Sequence, residues 1–518
     1  MLNVDALLDS QNYNHPVTCI ELLETHISWV ILTGLYAYKI KKPVNLGFLD
    51  FSTLPKRRHF CEEELRLNRR LAPDIYLEVV PIRGSTDAPS FGETGDVIDY
   101  AVKMRQFPQS AQLDRLLHNG LLRSEYLDAI AEVVARFHLA IDKPAADSHY
   151  GEPEQVWRPV AENFSQIRER ETRPSPLAQL DTLYNWSMAG FDRLKPLFSQ
   201  RKRDGFVREC HGDLHLRNIA WFEGKPIIFD CIEFNPELRW IDVISDLTFL
   251  FMDLIDRDQP AQAYRLLDRY LTRTGDYAGL AVLPFYFIYR ALVRAKVNSI
   301  RLSQTDVPAG ERIADEKEFA GYLQLAKSFI TRPKPKLMIT WGLSASGKTS
   351  VSSGLLEVIG AIRIRSDVER KRLAGLEYTT RASADVAKGI YTPEMSQRTY
   401  AHLLNQAGAI LDAGFSVIVD AAFLNVQQRE PFAQLAMQRQ LTFVILQCVA
   451  SASSLRQRIC QREHDASDAD LAILEHQLSR FTPLSADELP YTVTIDTEQK
   501  IDLTQLAGRI EEHAANAA

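Results

Sequence analysis

A chain of 518 residues is longer than one hydrophobic core serves, so two or more folding units are expected. With 46% hydrophobic and 25% charged residues, 24 Gly and 24 Pro, its composition excludes the disordered and collagenous classes. The net charge of −7 argues against a dedicated nucleic-acid binder and suits an enzyme of small substrates.

The first residues, MLNVDALLDSQNYNH, lack a basic stretch followed by an apolar core, so no secretory signal is expected there. The longest apolar stretch after them, Leu247–Ile255, is broken by Asp253 and falls short of the ~18 residues a membrane span needs. Cys19, Cys61, Cys210, Cys231, Cys448 and Cys460 form no CxxC pair, which points to free thiols in a reducing compartment and away from a zinc site. The expected address is the cytoplasm, with no membrane partner. Nothing in the pattern sets an oligomeric state.

Residues 17–50 read as strands, with THISWVILTG and LYAYKIKKPV meeting near Gly34 as a hairpin. Residues 56–71 carry a helical period through Phe60, Leu65, Leu67 and Leu71. Strands return over 75–107 around a Gly/Ser/Thr/Asp/Pro-rich loop at 84–96. From about 108 to 200 the pattern is helical, short strands occupy 207–232, and helices run on to 329. A small lobe (about 1–105) followed by a larger one (about 106–330) has the layout of a two-lobed kinase. TRPKPK, residues 331–336, reads as an extended linker. Beyond it, over 337–518, strand-like LMITW, AIRIRSD, SVIVDAA and TFVILQCV alternate with helical stretches, the pattern of a parallel sheet. The expected fold class is therefore α+β followed by α/β.

Two motifs carry chemistry. His211-Gly-Asp213-Leu-His-Leu-Arg-Asn218 is followed, twelve residues on, by Asp230 at the end of KPIIFD. Asp213 can serve an acceptor hydroxyl as base or orienting group, while Asn218 and Asp230 converge on Mg²⁺ bound to the phosphates. The second motif, Gly342-Leu-Ser344-Ala-Ser346-Gly347-Lys348-Thr349, matches GxxxxGK[ST] between a strand and a helix, with Ser350 next. Its amides cradle phosphate, Lys348 neutralises β/γ charge, and the Thr349 hydroxyl completes a Mg²⁺ shell. Asp367 and Asp420 each follow a predicted strand, where an open parallel sheet places its site. Asp420 would hold Mg²⁺ or face the acceptor; Asp367 could orient or deprotonate the acceptor, or simply cap its helix. Arg370 lies one turn after Asp367. Arg458 and Arg462 share a helical face, near Arg456, that could close over a triphosphate.

Over about residues 335–500, GLSASGKT, SDVER, VIVDAAFLN and the arginine-bearing helix resemble the small P-loop kinases: gluconate kinase, polynucleotide 5′-kinase and the zeta-toxin group. That resemblance makes Asp367 the acceptor-binding base with Arg370 beside it, and the arginines of the 456–462 helix ATP ligands. Over about 20–300, HGDLHLRN, KPIIFD, VARFHLAI and WIDVISDL resemble the aminoglycoside phosphotransferase and choline kinase branch of the protein-kinase-like fold. It implies that Asp246 braces the catalytic loop and that a strand lysine, Lys39 or Lys41, pairs with Glu62, Glu63 or Glu64, Lys39 and Glu64 aligning best. No GxGxxG precedes Lys39, so the roof over the phosphates has no sequence support. His211 reads as structural.

Together these features imply an ATP- and Mg²⁺-dependent kinase with two sites acting on small hydroxyl compounds. A regulatory ATP-binding role for one domain stays open, as does a nucleic-acid end or nucleotide sugar as acceptor at the second site.

Overall fold

A computed structural model of the chain describes residues 2–47, 49–304, 308–380, 389–461 and 471–516. The chain forms two compact units: residues 1–172 with 187–253, and residues 173–186 with 254–518.

The first unit opens with strands β1 (Glu21–Glu24), β2 (Ser28–Leu32) and β3 (Tyr36–Lys41). The hairpin expected at Gly34 is present: β2 and β3 pair antiparallel with Leu32 opposite Ala37. Helix α1 (Leu54–Asn68) starts where Thr53 accepts the Lys56 amide and Pro55 presets the first turn. Strands β4 (Tyr76–Gly84), β5 (Pro89–Ser90) and β6 (Val97–Arg105) complete a six-stranded sheet of order β1-β2-β3-β6-β4-β5. One face buries Trp29, Ile31, Tyr38, Ile40 and Ile82 in a common core. On the other, Cys61 of α1 packs against Val102 and Tyr76.

Helices α2 (Leu113–His118), α3 (Ser124–Ala140), α4 (Pro153–Arg168) and α5 (Pro174–Asp204) fill the helical stretch. Four short strands follow: β7 (Val207–Glu209), β8 (Ile219–Phe222), β9 (Lys225–Ile228) and β10 (Trp240–Asp242). They form two small antiparallel ladders, β7 with β10 and β8 with β9. Helix α6 (Val243–Asp256) closes this part.

The second unit includes helices α7 (Pro260–Thr274), α8 (Leu283–Leu302) and α9 (Ala309–Ile330). Its sheet carries β11 (Lys336–Trp341), then α10 (Lys348–Ile359), β12 (Ile362–Arg365), α11 (Ser366–Leu373) and α12 (Pro393–Asp412). Next come β13 (Val417–Asp420), α13 (Val426–Gln438), β14 (Thr442–Val449), α14 (Ala452–Cys460), α15 (Leu471–Arg480), β15 (Thr492–Asp496) and α16 (Leu503–Asn516). All five strands are parallel, in the order β12-β13-β11-β14-β15. β11 is central and buried from Leu337 to Trp341, which explains its unbroken apolar run.

This is the α+β and α/β combination the sequence implies, with β15 added at an edge. The sequence expectation divides the chain at 331–336, whereas packing groups helices α7–α9 with the parallel sheet. No helix among the described residues is long and apolar enough to cross a membrane.

Candidate active sites

In the first unit, strand alternation puts Lys39 and Lys41 on one face of β3. Both meet Glu64, which α1 delivers with no solvent exposure. Lys39 Nζ stands 2.8 Å from Oε1 and Lys41 Nζ 2.7 Å from Oε2. The choice between the two lysines resolves into a shared carboxylate; Glu62 and Glu63 pair instead with Arg58 and Arg66. Lys39 also reaches Asp230 Oδ1 at 2.5 Å, and Lys41 pairs with buried Glu233, which no motif marked.

Burial alone would lower the Lys39 and Lys41 pKa values. Asp230 and Glu64 outweigh it for Lys39, Glu233 and Glu64 for Lys41, so both ammoniums are held above their usual range. Glu64, pushed up by burial, is pulled below the usual carboxylate range by the two ammoniums. Burial raises Glu233. With all five groups ionised, three carboxylates surround two ammoniums, and the excess negative charge is suited to a cation.

The loop between β7 and β8 carries the HGD motif. Gly212 has φ +88°, and a Cβ there would stand 2.7 Å from the Leu238 carbonyl oxygen, so glycine is required. Asp246, wholly buried on α6, accepts the His211 amide at 3.0 Å and the Gly212 amide at 2.8 Å, and meets His138 Nε2 at 3.1 Å. Asp253 accepts the Leu216 amide at 2.9 Å, a brace the sequence reading missed. Asn218 Nδ2 donates to Asp213 Oδ2 at 3.1 Å, and His215 Nε2 lies 3.3 Å from the same oxygen. Asp230 has φ +64°, a sparsely populated conformation for a residue with a side chain, and its amide donates to the Tyr76 hydroxyl at 3.2 Å. Where a glycine-rich roof is missing, Gln106 Oε1 accepts the amides of Thr33 and Gly34 at 3.1 and 2.9 Å and so braces the β2–β3 turn.

His211 accepts the Asp213 amide on Nδ1 at 3.2 Å, which leaves Nε2–H to donate to the Phe229 carbonyl at 2.9 Å. This neutral ring ties the HGD loop to the strand end before Asp230. Burial lowers its pKa below 6.5. The folded chain then binds fewer protons than the unfolded chain below pH 6.5, so the stability this ring contributes is full above that pH and lost as pH falls. Unfolding temperatures measured between about pH 7 and about pH 5.5 are expected to fall with pH, with a shallower slope in His211→Asn.

In the second unit, the loop from Gly342 to Lys348 joins β11 to α10. A Cβ at Gly342 would stand 2.5 Å from Ser346 Oγ and 2.6 Å from the Cys448 carbonyl oxygen. Ala345 and Gly347 also take positive φ, +63° and +85°. Lys348 Nζ donates to the Gly342 and Leu343 carbonyls at 3.0 and 2.7 Å, curled over its own loop. Ser346 is buried, and among the described residues its hydroxyl has no hydrogen-bond partner. Ser344, Ala345, Gly347, Lys348, Thr349 and Ser350 line a cavity of ≈ 1010 Å³.

Asp367 and Arg370 line the same cavity from α11, and Asp420 from the end of β13. Asp420 accepts from Ser352 Oγ at 3.1 Å, and register places it opposite Arg365. Arg370, 7% exposed, donates to the Ile390 carbonyl at 3.3 Å and to Ser396 Oγ at 3.2 Å, and its guanidinium lies over Tyr391. Among the described residues its buried Nε has no hydrogen-bond partner. Burial raises Tyr400, a further cavity residue, to about 12, so it is a neutral hydroxyl. From α14, Arg458 donates to the Ala345 and Thr497 carbonyls at 3.3 and 2.7 Å, which pins it against the phosphate loop. Arg456 pairs with Glu475 on an exposed face, and Arg462 lies outside the described residues. Gln477 of α15 occupies the Ser344 amide at 2.8 Å.

Comparison with known proteins finds two family matches along the chain, the first of which runs past residue 253, where the first unit ends. Residues 58–283 match the Phosphotransferase enzyme family and residues 337–484 match an AAA domain. Over 465 residues the chain is 31% identical to the proteins Mb2027c of Mycobacterium bovis and Rv2004c of Mycobacterium tuberculosis, covering 89% of this chain and 90% of each relative. Among solved structures, a choline/ethanolamine kinase family protein from Mesorhizobium loti is similar at 14% identity, covering 62% of this chain and 90% of that chain, with a TM-score of 0.37. A gluconokinase from Sinorhizobium meliloti is similar at 24% identity, covering 36% and 92%, with a TM-score of 0.24.

Proposed function

The chain belongs to the family of these mycobacterial proteins and joins a phosphotransferase-family domain to an AAA-type P-loop domain; from that premise we propose two separate kinase sites, each moving the ATP γ-phosphate to the hydroxyl of a small molecule. Kinase-family domains imply ATP-dependent phosphotransfer in general and divalent-metal use. The observation that carries the finer reading is the convergence of Lys348, Thr349, Asp367, Arg370 and Asp420 on one cavity in one unit and of Lys39, Glu64 and Asp230 on one another in the other unit.

The donor atoms suit Mg²⁺ at both places, since every candidate ligand is a hard oxygen. They are the Thr349 hydroxyl and Asp420 carboxylate in one site, and the Asp230 carboxylate and Asn218 amide oxygen in the other. Bound there, Mg²⁺ would neutralise phosphate charge. In the first site Lys39 would turn from Asp230 to the α/β-phosphates while Glu64 keeps it extended. Asn218 and His215 hold Asp213 Oδ2, which orients the carboxylate for Oδ1 to take the acceptor's hydroxyl proton. In the second, Lys348 would leave its two carbonyls for the β/γ-phosphates, and Asp367 would orient the acceptor. Catalysis would rest on positioning and charge stabilisation.

Nucleotide binding to the P-loop requires Gln477 to release the Ser344 amide. One neutral hydrogen bond is worth about 0.5–1.5 kcal/mol, so Gln477→Ala is expected to tighten nucleotide binding by about 2–10-fold. Calorimetric titration measures both this change and the number of nucleotides per chain. Two per chain, with one lost in Lys348→Ala, is the expected result; a single nucleotide per wild-type chain would remove the two-site reading.

A further inference from the structure

Arg363 lies on β12, one side-chain alternation before Arg365, and is 3% exposed. Its guanidinium forms a two-pronged pair with Asp268 of α7, Nε to Oδ1 at 3.2 Å and Nη2 to Oδ2 at 2.7 Å. Asp268 is equally buried. The remaining nitrogen, Nη1, turns to α10: it donates to the Thr349 carbonyl at 3.4 Å, to Ser352 Oγ at 3.5 Å, and to Ser353 Oγ. Ser352 Oγ in turn donates to Asp420 Oδ2 at 3.1 Å. An unbroken polar chain therefore runs from α7 to the Asp420 side chain and to the Thr349 backbone, the two residues assigned to the Mg²⁺ end of the P-loop cavity.

Asp268 lies within the stretch that matches the phosphotransferase family, 69 residues before the AAA match begins at 337. Other contacts from the same segment reach the strand and helix that carry the cavity residues Arg365, Asp367 and Arg370. Tyr277 Oη donates to the Arg363 carbonyl at 3.5 Å. Arg372, on the helix of Asp367 and Arg370, donates to the Thr272 carbonyl at 2.7 Å. Gly275 leaves room for that guanidinium: a Cβ there would stand 2.7 Å from Arg372 Cζ.

We propose that Asp268 is a positioning residue for the P-loop site, acting through Arg363 and Ser352 on Thr349 and Asp420, so that a helix of the phosphotransferase-matched region sets the magnesium affinity of the AAA-type site. A guanidinium held on two oxygens by one carboxylate has a fixed plane, and that plane fixes where Nη1 meets the start of α10. Without the carboxylate, Arg363 is a buried cation free to turn toward Asp420 itself, which would compete with the metal for that acid. The proposal rests on the P-loop reading above.

The test is a magnesium titration of nucleotide binding to the full-length chain, with Lys348→Ala identifying which binding event belongs to the P-loop. Mutation of groups that orient metal ligands shifts metal affinity by about 10–100-fold. Asp268→Asn is therefore expected to raise the half-saturating magnesium concentration at the P-loop site by about tenfold or more. Nucleotide binding without magnesium should stay within about twofold, and Asp268→Glu should recover most of the loss. A brace of the fold alone would lower the unfolding temperature and leave the magnesium titration unchanged; that result overturns the proposal. Should Asp268→Asn not fold, Arg363→Lys keeps the charge pair and loses the fork, and must show the same shift in magnesium dependence for the proposal to stand. Absence of any Lys348-dependent nucleotide binding in the wild type would instead overturn the P-loop reading, and this proposal with it.

Discussion

Asp213→Asn is expected to lower turnover at the first site by about 10²–10⁴-fold, the range for losing a positioned general base, and to leave P-loop turnover unchanged. The substitution is nearly isosteric and keeps an oxygen for Asn218 Nδ2, so the loop held by Asp246, His211 and Asp253 should survive. Its effect should fall on kcat more than on the KM for ATP, because Asp213 is assigned to the acceptor and not to the nucleotide. Lys348→Ala is the reciprocal change. It removes the cation assigned to the β/γ-phosphates, and a loss of about 10²–10³-fold is expected at the P-loop site alone. Steady-state ADP release under each acceptor's conditions measures both. A single substitution that abolished all turnover would show that the sites are not separate.

Glu64→Ala should be the most damaging single change in the first unit. It removes the carboxylate that holds Lys39 at 2.8 Å and Lys41 at 2.7 Å in a place without solvent. Breaking a buried ion pair by deleting one partner costs about 3–5 kcal/mol. Here Asp230 and Glu233 still compensate the two ammoniums, so the low end of that range is expected. Glu64→Gln keeps hydrogen-bond acceptance with the same volume and should cost less, about 1–3 kcal/mol, while Lys39 collapses onto Asp230 and first-site nucleotide binding weakens. Denaturant unfolding monitored in the first unit, beside nucleotide titration, separates the two effects. Wild-type stability in Glu64→Ala would contradict the buried-pair account.

Much of the candidate sites' local geometry was legible because it lies in short spacings. HGDLHLRN and GLSASGKT place their key atoms within one loop each, so local sequence carries the geometry. The buried run of β11 and the alternation of Lys39 and Lys41 were legible for the same reason. What the sequence concealed depends on long-range packing. Glu233 carries no motif, yet it is the second partner of Lys41. Gln106, from the end of another strand, supplies the brace that a glycine-rich roof would have made unnecessary. Asp268 and Arg363 lie 95 positions apart, and nothing in either local pattern announces that they meet. The grouping of α7–α9 with the parallel sheet has the same cause: TRPKPK reads as a break in local structure, whereas the packing that joins both sides of it comes from apolar and ionic contacts distant in sequence. Arg456 and Arg458 show the limit of composition. Both sit on α14, but a difference of two positions turns one to Glu475 and the other to the phosphate loop.

The most direct test of two separate kinase sites is ADP release against a panel of sugars, amino alcohols, aminoglycosides and nucleosides, run on the wild type, Asp213→Asn and Lys348→Ala. The account predicts acceptors whose stimulation disappears in one variant and persists in the other, with at least one acceptor for each site. Acceptor-stimulated release that survives both substitutions, or that both abolish for every acceptor, would contradict it.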